Sequence, residues 1–246
     1  MNKIKNILVL TVLSIILYSC GDNSNGIPVD DFDHEAQALI DNDSLTTFLK
    51  NYYFDTSVDS IKPLVSGKTA LFGDAKLKTM DVKENDIDYK MYVYVIEQGA
   101  PTPTKGFPTV VDSILSNYQV WNINKTDSIS LIETGTKPFW WNLAPTTTGA
   151  PNPIRGWTYG FTNFKGGKNI TNNGPITYEN FGKGILFIPS GLAYRNSGSQ
   201  TIAGNQNLMF YVSLFDLVED TDHDNDGKPS IQEDADGDGD PRNDFS

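Results

Sequence analysis

The sequence has a single cysteine, Cys20, and only two histidines, His34 and His223. With one cysteine the chain cannot form an intramolecular disulfide, so its fold must depend on the hydrophobic core. Neither histidine lies in the middle of the chain, where a Ser-His-Asp or Cys-His catalytic centre would need one. The same scarcity excludes a zinc site built from histidine and cysteine ligands.

Basic residues are also scarce, with 19 Lys/Arg against 31 Asp/Glu and a net charge of -12. The acidic excess is concentrated near the C-terminus, because residues 216–246 contain twelve Asp/Glu and two Lys/Arg. The rest of the chain is therefore almost neutral. Since no basic patch is evident that would meet phosphates, we expect no nucleic-acid partner. A divalent cation is the natural partner of such a tail.

The N-terminus has the features of a signal peptide. Lys3 and Lys5 precede an apolar run, Ile7 to Leu17, that is about half the length a membrane-spanning helix needs. The end of the run, Leu17-Tyr18-Ser19-Cys20, resembles a bacterial lipobox. The resemblance implies cleavage before Cys20, acylation of that cysteine, a lipid bilayer as partner, and localisation in the cell envelope at the outer membrane, on its periplasmic or surface face. The alternative is an ordinary signal peptide with a chance cysteine.

Hydrophobic periodicity predicts an α+β fold. Apolar residues at helical spacing predict an amphipathic helix over 34–53, which Asp41-Asn42-Asp43-Ser44 could divide into two. Strands are predicted at 89–96, 109–121, 128–133, 185–188 and 207–217, with a short helix at 156–165. Strands joined by loops, with one late helix, favour an antiparallel sheet packed on a helix.

We divide the chain into five segments; the lipidated tether follows from the lipobox resemblance, and the bounds of the central segment come from a second resemblance, described below. The segments are a signal peptide, 1–19; a lipidated tether, 20–33; a helical and strand extension, 34–107; a central domain, 108–218; and an irregular, aspartate-rich tail, 219–246.

Three segments of the central domain resemble FKBP-type peptidyl-prolyl isomerases. Residues 153–161, Pro-Ile-Arg-Gly-Trp-Thr-Tyr-Gly-Phe, resemble the V-I-x-G-W-x-x-G stretch of that family. Residues 184–194 contain Ile-Pro-Ser-Gly-Leu-Ala-Tyr, which resembles its I-P-x-x-L-A-Y-G, and residues 207–214 resemble its closing strand. The segments follow in the family's order, and the match covers about residues 108–218.

The resemblance implies a twisted antiparallel sheet wrapped on a short helix, with an aromatic pocket between them for proline-containing polypeptides. It assigns Trp157 to the pocket floor, Phe139, Phe210 and Tyr118 to the walls, Tyr194 and the backbone N–H of Ile154 to hydrogen bonds with the peptide, and Ile202 to the flap. It implies no cofactor for catalysis. The alternative for these aromatic residues is ordinary core packing.

The sequence departs from the family's pattern in three places. The aspartate that the family has in its pocket is absent here, or is replaced by Glu133 with a shift; Arg195 replaces the glycine after the mouth tyrosine; and residues 168–183 are longer than the usual hairpin. Three hypotheses therefore stand. The chain is an isomerase assisting the folding of exported proteins, a catalytically degenerate domain that binds peptides, or a structural lipoprotein.

The tail contains Asp222-x-Asp224-x-Asp226-Gly227 and then Glu233, which approaches the EF-hand loop D-x-D-x-D-G-x5-E. Pro229 stands where an EF-hand has an apolar residue, so the tail is more similar to the calcium-binding aspartate repeats of the thrombospondin type 3 class. The resemblance implies Ca²⁺ ligands at Asp222, Asp224, Asp226, Glu233, Asp236, Asp238 and Asp240. The alternative is a solvated acidic tail that is disordered without metal.

Overall fold

A computed structural model gives the fold of residues 30–123, 129–145, 153–242 and 244. The predicted signal peptide, Cys20 and residues 20–29 of the predicted tether lie outside this range. The described residues from Asp33 onward form one compact unit. Within the part of the chain that the structure describes, no helix is long and apolar enough to cross a membrane.

The centre of the larger unit is an antiparallel sheet of six strands. The long helix α1 and the short helix α2 span His34–Asn51 and Arg155–Gly160. The strands are β1 Tyr52–Asp55, β2 Ser60–Pro63, β3 Leu77–Glu84, β4 Ile87–Glu97, β5 Ser113–Ile123, β6 Ile129–Asn142, β7 Lys168–Asn169, β8 Tyr178–Glu179, β9 Gly182–Ile188 and β10 Leu208–Val218. The sheet order is β3-β4-β9-β10-β5-β6, while β1-β2 and β7-β8 pair separately. The predicted α+β class with an antiparallel sheet is confirmed.

Both faces of the central sheet are covered, and this explains the continuous apolar run of β9. Successive side chains of a strand point to opposite faces. Leu186 and Ile188 pack in a core that contains Trp157 of α2. Ile185 and Phe187 pack in a second core that contains Phe48 of α1. Strand β9 is therefore apolar at both sets of alternate positions, as expected for a strand buried on both sides.

Helix α1 is continuous, although the sequence allowed a break at Asp41–Ser44. The Asp33 side chain caps the helix by accepting a hydrogen bond from the Ala36 N–H at 2.9 Å. Asp41 is 1% exposed and accepts hydrogen bonds from the Ser190 N–H at 2.8 Å and the Ser190 hydroxyl at 2.6 Å. The Asn42 side chain accepts a bond from the Tyr92 hydroxyl at 2.7 Å. These polar residues are bound by distant parts of the chain, so they do not end the helix.

The N-terminal extension contributes strands to the same sheet as the central domain. Strand β4 pairs with β9, and β3 forms one sheet edge. The boundary drawn at 107/108 therefore falls between strands of one sheet. The β1-β2 hairpin lies on the α1 side, where the Tyr211 hydroxyl accepts a bond from the Ile61 N–H at 2.9 Å.

The short helix and strand β6 differ clearly in length from their predictions. The predicted helix over 156–165 is the six-residue α2 followed by a 3₁₀ turn at Phe161–Asn163. The predicted strand over 128–133 is the start of the longer β6, which runs through Pro138 to Asn142. Because β6 is an edge strand, the missing N–H of Pro138 removes no hydrogen bond from the interior of the sheet.

Candidate functional site

A cavity of about 250 Å³ lies between α2 and the concave face of the sheet. Trp157, in the first turn of α2, is 4% exposed and forms its floor. The described residues that line the cavity are Tyr118, Val120, Ile132, Glu133, Trp141, Pro153, Ile154, Trp157, Tyr194, Ser199, Thr201, Ile202 and Phe210. Apolar and aromatic side chains predominate, and Glu133 is the one acidic residue among these lining residues.

Two glycines place α2 directly on strand β9. A Cβ atom at Gly156 would lie 2.4 Å from a methyl carbon of Ile188, and one at Gly160 would lie 2.7 Å from a methyl carbon of Leu186. These two positions are one helical turn apart, so one face of α2 is bare backbone. The close approach holds the intervening Trp157 at a fixed depth under the cavity.

Aromatic rings surround the indole of Trp157 in edge-to-face arrangements. Its ring centroid lies 5.1 Å from that of Tyr118 and 5.5 Å from that of Phe210, with interplanar angles of 75° and 87°. Trp141 lies 5.3 Å away at 71°. Each such pair contributes about 0.5–1.5 kcal/mol beyond the burial of its area. The walls are therefore rigid as well as apolar.

One wall carries a hydrogen-bonded tyrosine and carboxylate. The Tyr118 hydroxyl donates to Glu133 Oε1 at 3.1 Å across strands β5 and β6. Burial, and then the bond to Glu133, raises the pKa of Tyr118 to about 12. Gly135 lies opposite Tyr118 in the strand pairing, where a Cβ atom would be 2.8 Å from the Tyr118 ring. The phenol is thus protonated over the whole physiological range.

Tyr194 lies at the mouth of the cavity, just after the 3₁₀ turn Ser190–Leu192. It is 36% exposed, so an entering ligand can reach its hydroxyl. Burial of its ring, and then the negative charge of Glu133, raises the pKa of Tyr194. The hydroxyl therefore remains a hydrogen-bond donor at neutral pH. Ile154, on the opposite side, precedes α2 in an extended conformation.

The structure brings six of the seven predicted pocket residues together. Tyr118, Ile154, Trp157, Tyr194, Ile202 and Phe210 all line the cavity. Phe139 does not, because its side chain is 58% exposed and its ring packs on the outside of Trp141 at a centroid distance of 5.4 Å. Trp141 occupies the wall position that the sequence assigned to Phe139.

Sequence reasoning missed Trp141, and it named Glu133 only as a possible replacement for the family's pocket aspartate. Phe139 and Trp141 are two positions apart and point to the same side of β6, so alternation offered both as candidates. The pairing of β5 with β6 contains an irregularity between Ser116 and Tyr118 that displaces the alignment. Such a bulge has no clear signature in the sequence, and it determines which of the two rings reaches the cavity.

The tail forms two carboxylate clusters instead of one extended series. In the first, carboxylate oxygens of Asp222, Asp224 and Asp226 all lie within 4.8 Å of one another. The second brings together Asp234, Asp236 and Asp238 in the same way. Gly227 and Gly239 follow the respective clusters with φ of 97° and 79°, a conformation that glycine adopts without strain.

The two clusters include five of the seven predicted tail ligands and leave out Glu233 and Asp240. Glu233 is not among the carboxylates of the first cluster; burial and then the charges of Asp224 and Asp226 raise its pKa. Asp240 is not in the second cluster; its carboxylate makes a two-pronged ion pair with Arg242 at 2.7 and 2.8 Å. Asp234 takes its place in the cluster. The twelve-residue spacing of the two loops was the signal that could have identified Asp234.

No protein-family model and no curated protein matches the chain. Three solved structures show low similarity. FkpA from Escherichia coli, known from a crystal structure, has 25% sequence identity to this chain and a TM-score of 0.39. The match covers 58% of this chain and 52% of the FkpA chain. The peptidyl-prolyl cis-trans isomerase of Pseudomonas syringae pv. tomato is 16% identical, with 77% and 98% covered and a TM-score of 0.44. The N-terminal domain of FKBP42 from Arabidopsis thaliana is 16% identical, with 59% and 94% covered and a TM-score of 0.41. The chain therefore spans about half the length of the FkpA chain that it matches.

Proposed function

We propose that the protein is a peptidyl-prolyl cis-trans isomerase of the FKBP type that assists the folding of exported proteins. The proposal rests on the cavity, whose floor is the buried Trp157 and whose lining is mostly apolar and aromatic. Its volume of about 250 Å³ is smaller than that of usual pockets for drug-sized ligands, roughly 300–1,000 Å³. A single pyrrolidine ring of a peptide is a suitable occupant.

Prolyl isomerisation needs no acid, base or nucleophile at the reacting bond. The barrier of about 18–20 kcal/mol arises because rotation breaks amide resonance. The twisted amide is less polar than the planar one, so an apolar cavity disfavours the planar form more and lowers the barrier. In this mechanism Tyr194 and the Ile154 N–H hold the carbonyl groups that flank the rotating bond.

The competing hypothesis is a domain that binds proline-containing segments without turning them over. The observation that favours it is Glu133, which stands where a shorter aspartate was expected and already engages the Tyr118 hydroxyl. Its side chain is largely exposed, so water can reach this wall of the cavity. A wetter wall would solvate the planar amide and reduce the difference between the two states.

Turnover separates these hypotheses. We would measure cis-trans exchange of a short X-Pro peptide by NMR with the compact unit, residues 33–246, and with Tyr194→Phe. Loss of one hydrogen bond to the rotating peptide should slow exchange about tenfold, which corresponds to about 1.4 kcal/mol. Tyr53→Phe, on strand β1 away from the cavity, is the matched control.

Trp157→Phe and Trp121→Phe form a second matched pair, because Trp121 packs on Tyr211 in the α1-side core and does not line the cavity. An isomerase should lose activity with Trp157→Phe alone. A folded parent protein that binds the peptide without accelerating exchange would support the binding domain instead.

We also propose, from residues 1–20 alone, that the chain is an exported lipoprotein acylated on Cys20 and held at the outer membrane. The support is the charged start, the short apolar run and the lipobox-like end of the segment. Cells expressing the full chain would be fed radiolabelled palmitate. Label on the parent and none on Cys20→Ser would agree with acylation, whereas equal labelling would refute it.

The two tail loops are proposed as Ca²⁺ sites. The observation beyond the clustering is Asp234, which is 9% exposed and has one oxygen, Oδ1, buried without a hydrogen-bond partner in the described structure. Its carboxylate lies within 4.8 Å of those of Asp236 and Asp238, and carboxylate oxygens are preferred ligands of Ca²⁺. Calorimetric titration should show two sites, and the absence of heat at millimolar calcium would contradict the proposal.

A further inference from the structure

The second carboxylate loop rests on the helix that carries the pocket floor. Arg155, the first residue of α2, donates through Nη2 to the backbone carbonyl of Asp238. The same side chain donates through Nε to Glu84 Oε2 at 2.9 Å and through Nη2 to the Tyr159 hydroxyl at 2.9 Å. Tyr159 in turn donates to Glu84 at 2.9 Å. The guanidinium therefore links α2, strand β3 and the tail.

Packing supports the same contact one residue further along. Gly239 packs on the body, since an added Cβ would be in ordinary van der Waals contact with Thr158 and Val110, 3.4 Å from each. Thr158 is fully buried and donates from its hydroxyl to the Leu143 carbonyl at 3.0 Å. The loop thus covers the residue that follows Trp157.

The side chain and the backbone carbonyl of Asp238 have different partners. Its carboxylate belongs to the cluster with Asp234 and Asp236, and its backbone carbonyl accepts from Arg155. Three carboxylates this close repel one another unless a cation lies among them. If the cation were removed, relief of this repulsion would shift the Asp238 backbone and take away the acceptor that Arg155 uses.

We infer that a divalent cation bound by Asp234, Asp236 and Asp238 acts as a clamp that fixes α2, and with it the floor of the pocket. The inference rests on the proposed function for its consequence, which is tighter peptide binding when the cation is present. Coupling between two binding events is reciprocal, so a peptide in the pocket should raise the affinity of the second loop for the cation by the same factor.

The first loop contacts residues just before β5 and makes none of the Arg155 contacts, so it provides an internal comparison. His223 Nε2 lies 2.7 Å from the Val111 carbonyl oxygen, and the Thr221 N–H donates to Asp112 Oδ1 at 3.2 Å. These contacts do not include α2. A cation in the first loop should therefore leave α2 unchanged.

The test uses residues 33–246 and Ca²⁺ as the probe. Hydrogen–deuterium exchange of residues 155–160 would be followed with and without calcium in the parent, in Asp236→Asn and in Asp224→Asn. The two substituted positions are equivalent in their loops and both are exposed, so the variants differ only in the loop affected. We expect calcium to slow exchange about tenfold in the parent and in Asp224→Asn, and to have no effect in Asp236→Asn.

Arg155→Gln supplies the second arm. It should bind calcium at both loops by calorimetry and still lose the calcium-dependent protection of α2. Equal calcium-dependent protection of α2 in Asp236→Asn and Asp224→Asn would overturn the inference. Exchange in the parent that bound calcium does not slow would also overturn it. If the parent shows the protection but accelerates no prolyl exchange, the clamp stands and the proposed isomerase does not.

Discussion

Replacing Asp41 with alanine should destabilise the compact unit by about 3 kcal/mol. Asp41 is buried and accepts from the Ser190 N–H, the Ser190 hydroxyl and Gln37 Nε2, the last at 2.7 Å. Hydrogen bonds to a charged group contribute about 1.5–3 kcal/mol each, and the cost of burying the carboxylate offsets part of the sum. The Ser190 N–H keeps a second acceptor in Asn207 Oδ1 at 3.1 Å, but the hydroxyl loses its own.

Chemical denaturation followed by circular dichroism would measure the free energy of unfolding. For a unit of this size, about 3 kcal/mol corresponds to a fall in Tm of about 6–12 °C. Asp43→Ala, two residues along α1 and exposed, is the control and should change stability by less than about 0.5 kcal/mol. A loss below about 1 kcal/mol for Asp41→Ala, or strict additivity with Ser190→Ala, would refute the reasoning.

Three further predictions follow from burial and close contacts. Burial raises the pKa of Asp41 above its ordinary 3.8, so its contribution to stability is greatest below pH 3.8 and declines as the pH rises through the folded value. In urea titrations, the stability of Asp41→Asn relative to the parent should therefore increase as the pH rises from 3.5 to 7. A difference that stays constant with pH would contradict this. Gly156→Ala should cost about 1–3 kcal/mol through overlap with Ile188, whereas Gly174→Ala, with its nearest neighbour at 3.7 Å, should not; equal melting temperatures would disprove the close packing. Glu133→Gln should lower the pKa of Tyr118 from about 12 in an ultraviolet titration. The stability that the raised pKa of Tyr118 contributes, which is present below pH 10 and lost as the pH rises toward 12, should decrease in this variant. An unchanged pKa would show that burial alone causes the shift.

The sequence was most informative where local pattern and burial agree. The apolar run in β9 predicted a strand in the right place, because both faces of the sheet are covered there. The alternation in β10 did so because Leu208, Phe210, Val212 and Leu214 lie on one face and pack in one core. Trp157 was placed on a short helix under a pocket from its flanking glycines and the family-like stretch. The structure shows the physical need for those glycines, which is the close contact of α2 with β9.

Prediction failed where a specific side-chain contact decided the outcome. Asp41 looked like a helix breaker because aspartate competes for backbone hydrogen bonds, but its partner Ser190 is 149 residues away. Asp240 looked like one more ligand in an aspartate series, and its pairing with Arg242 depends on the local turn of the tail. Neither outcome leaves a trace in periodicity or composition.

The order of the strands has a consequence for how the molecule is made. Strand β4 is synthesised in the first half of the chain, but its second edge is paired only after β9 has been made, as the pairing of Tyr92 with Phe187 shows. Until then a newly emerging chain carries an open strand edge with aromatic side chains, which is the kind of surface on which chains aggregate. Pairing over such long sequence separations is also slow. The protein that we propose as a folding assistant is therefore itself vulnerable during its own folding, and a chain stopped before β9 should have no stable sheet.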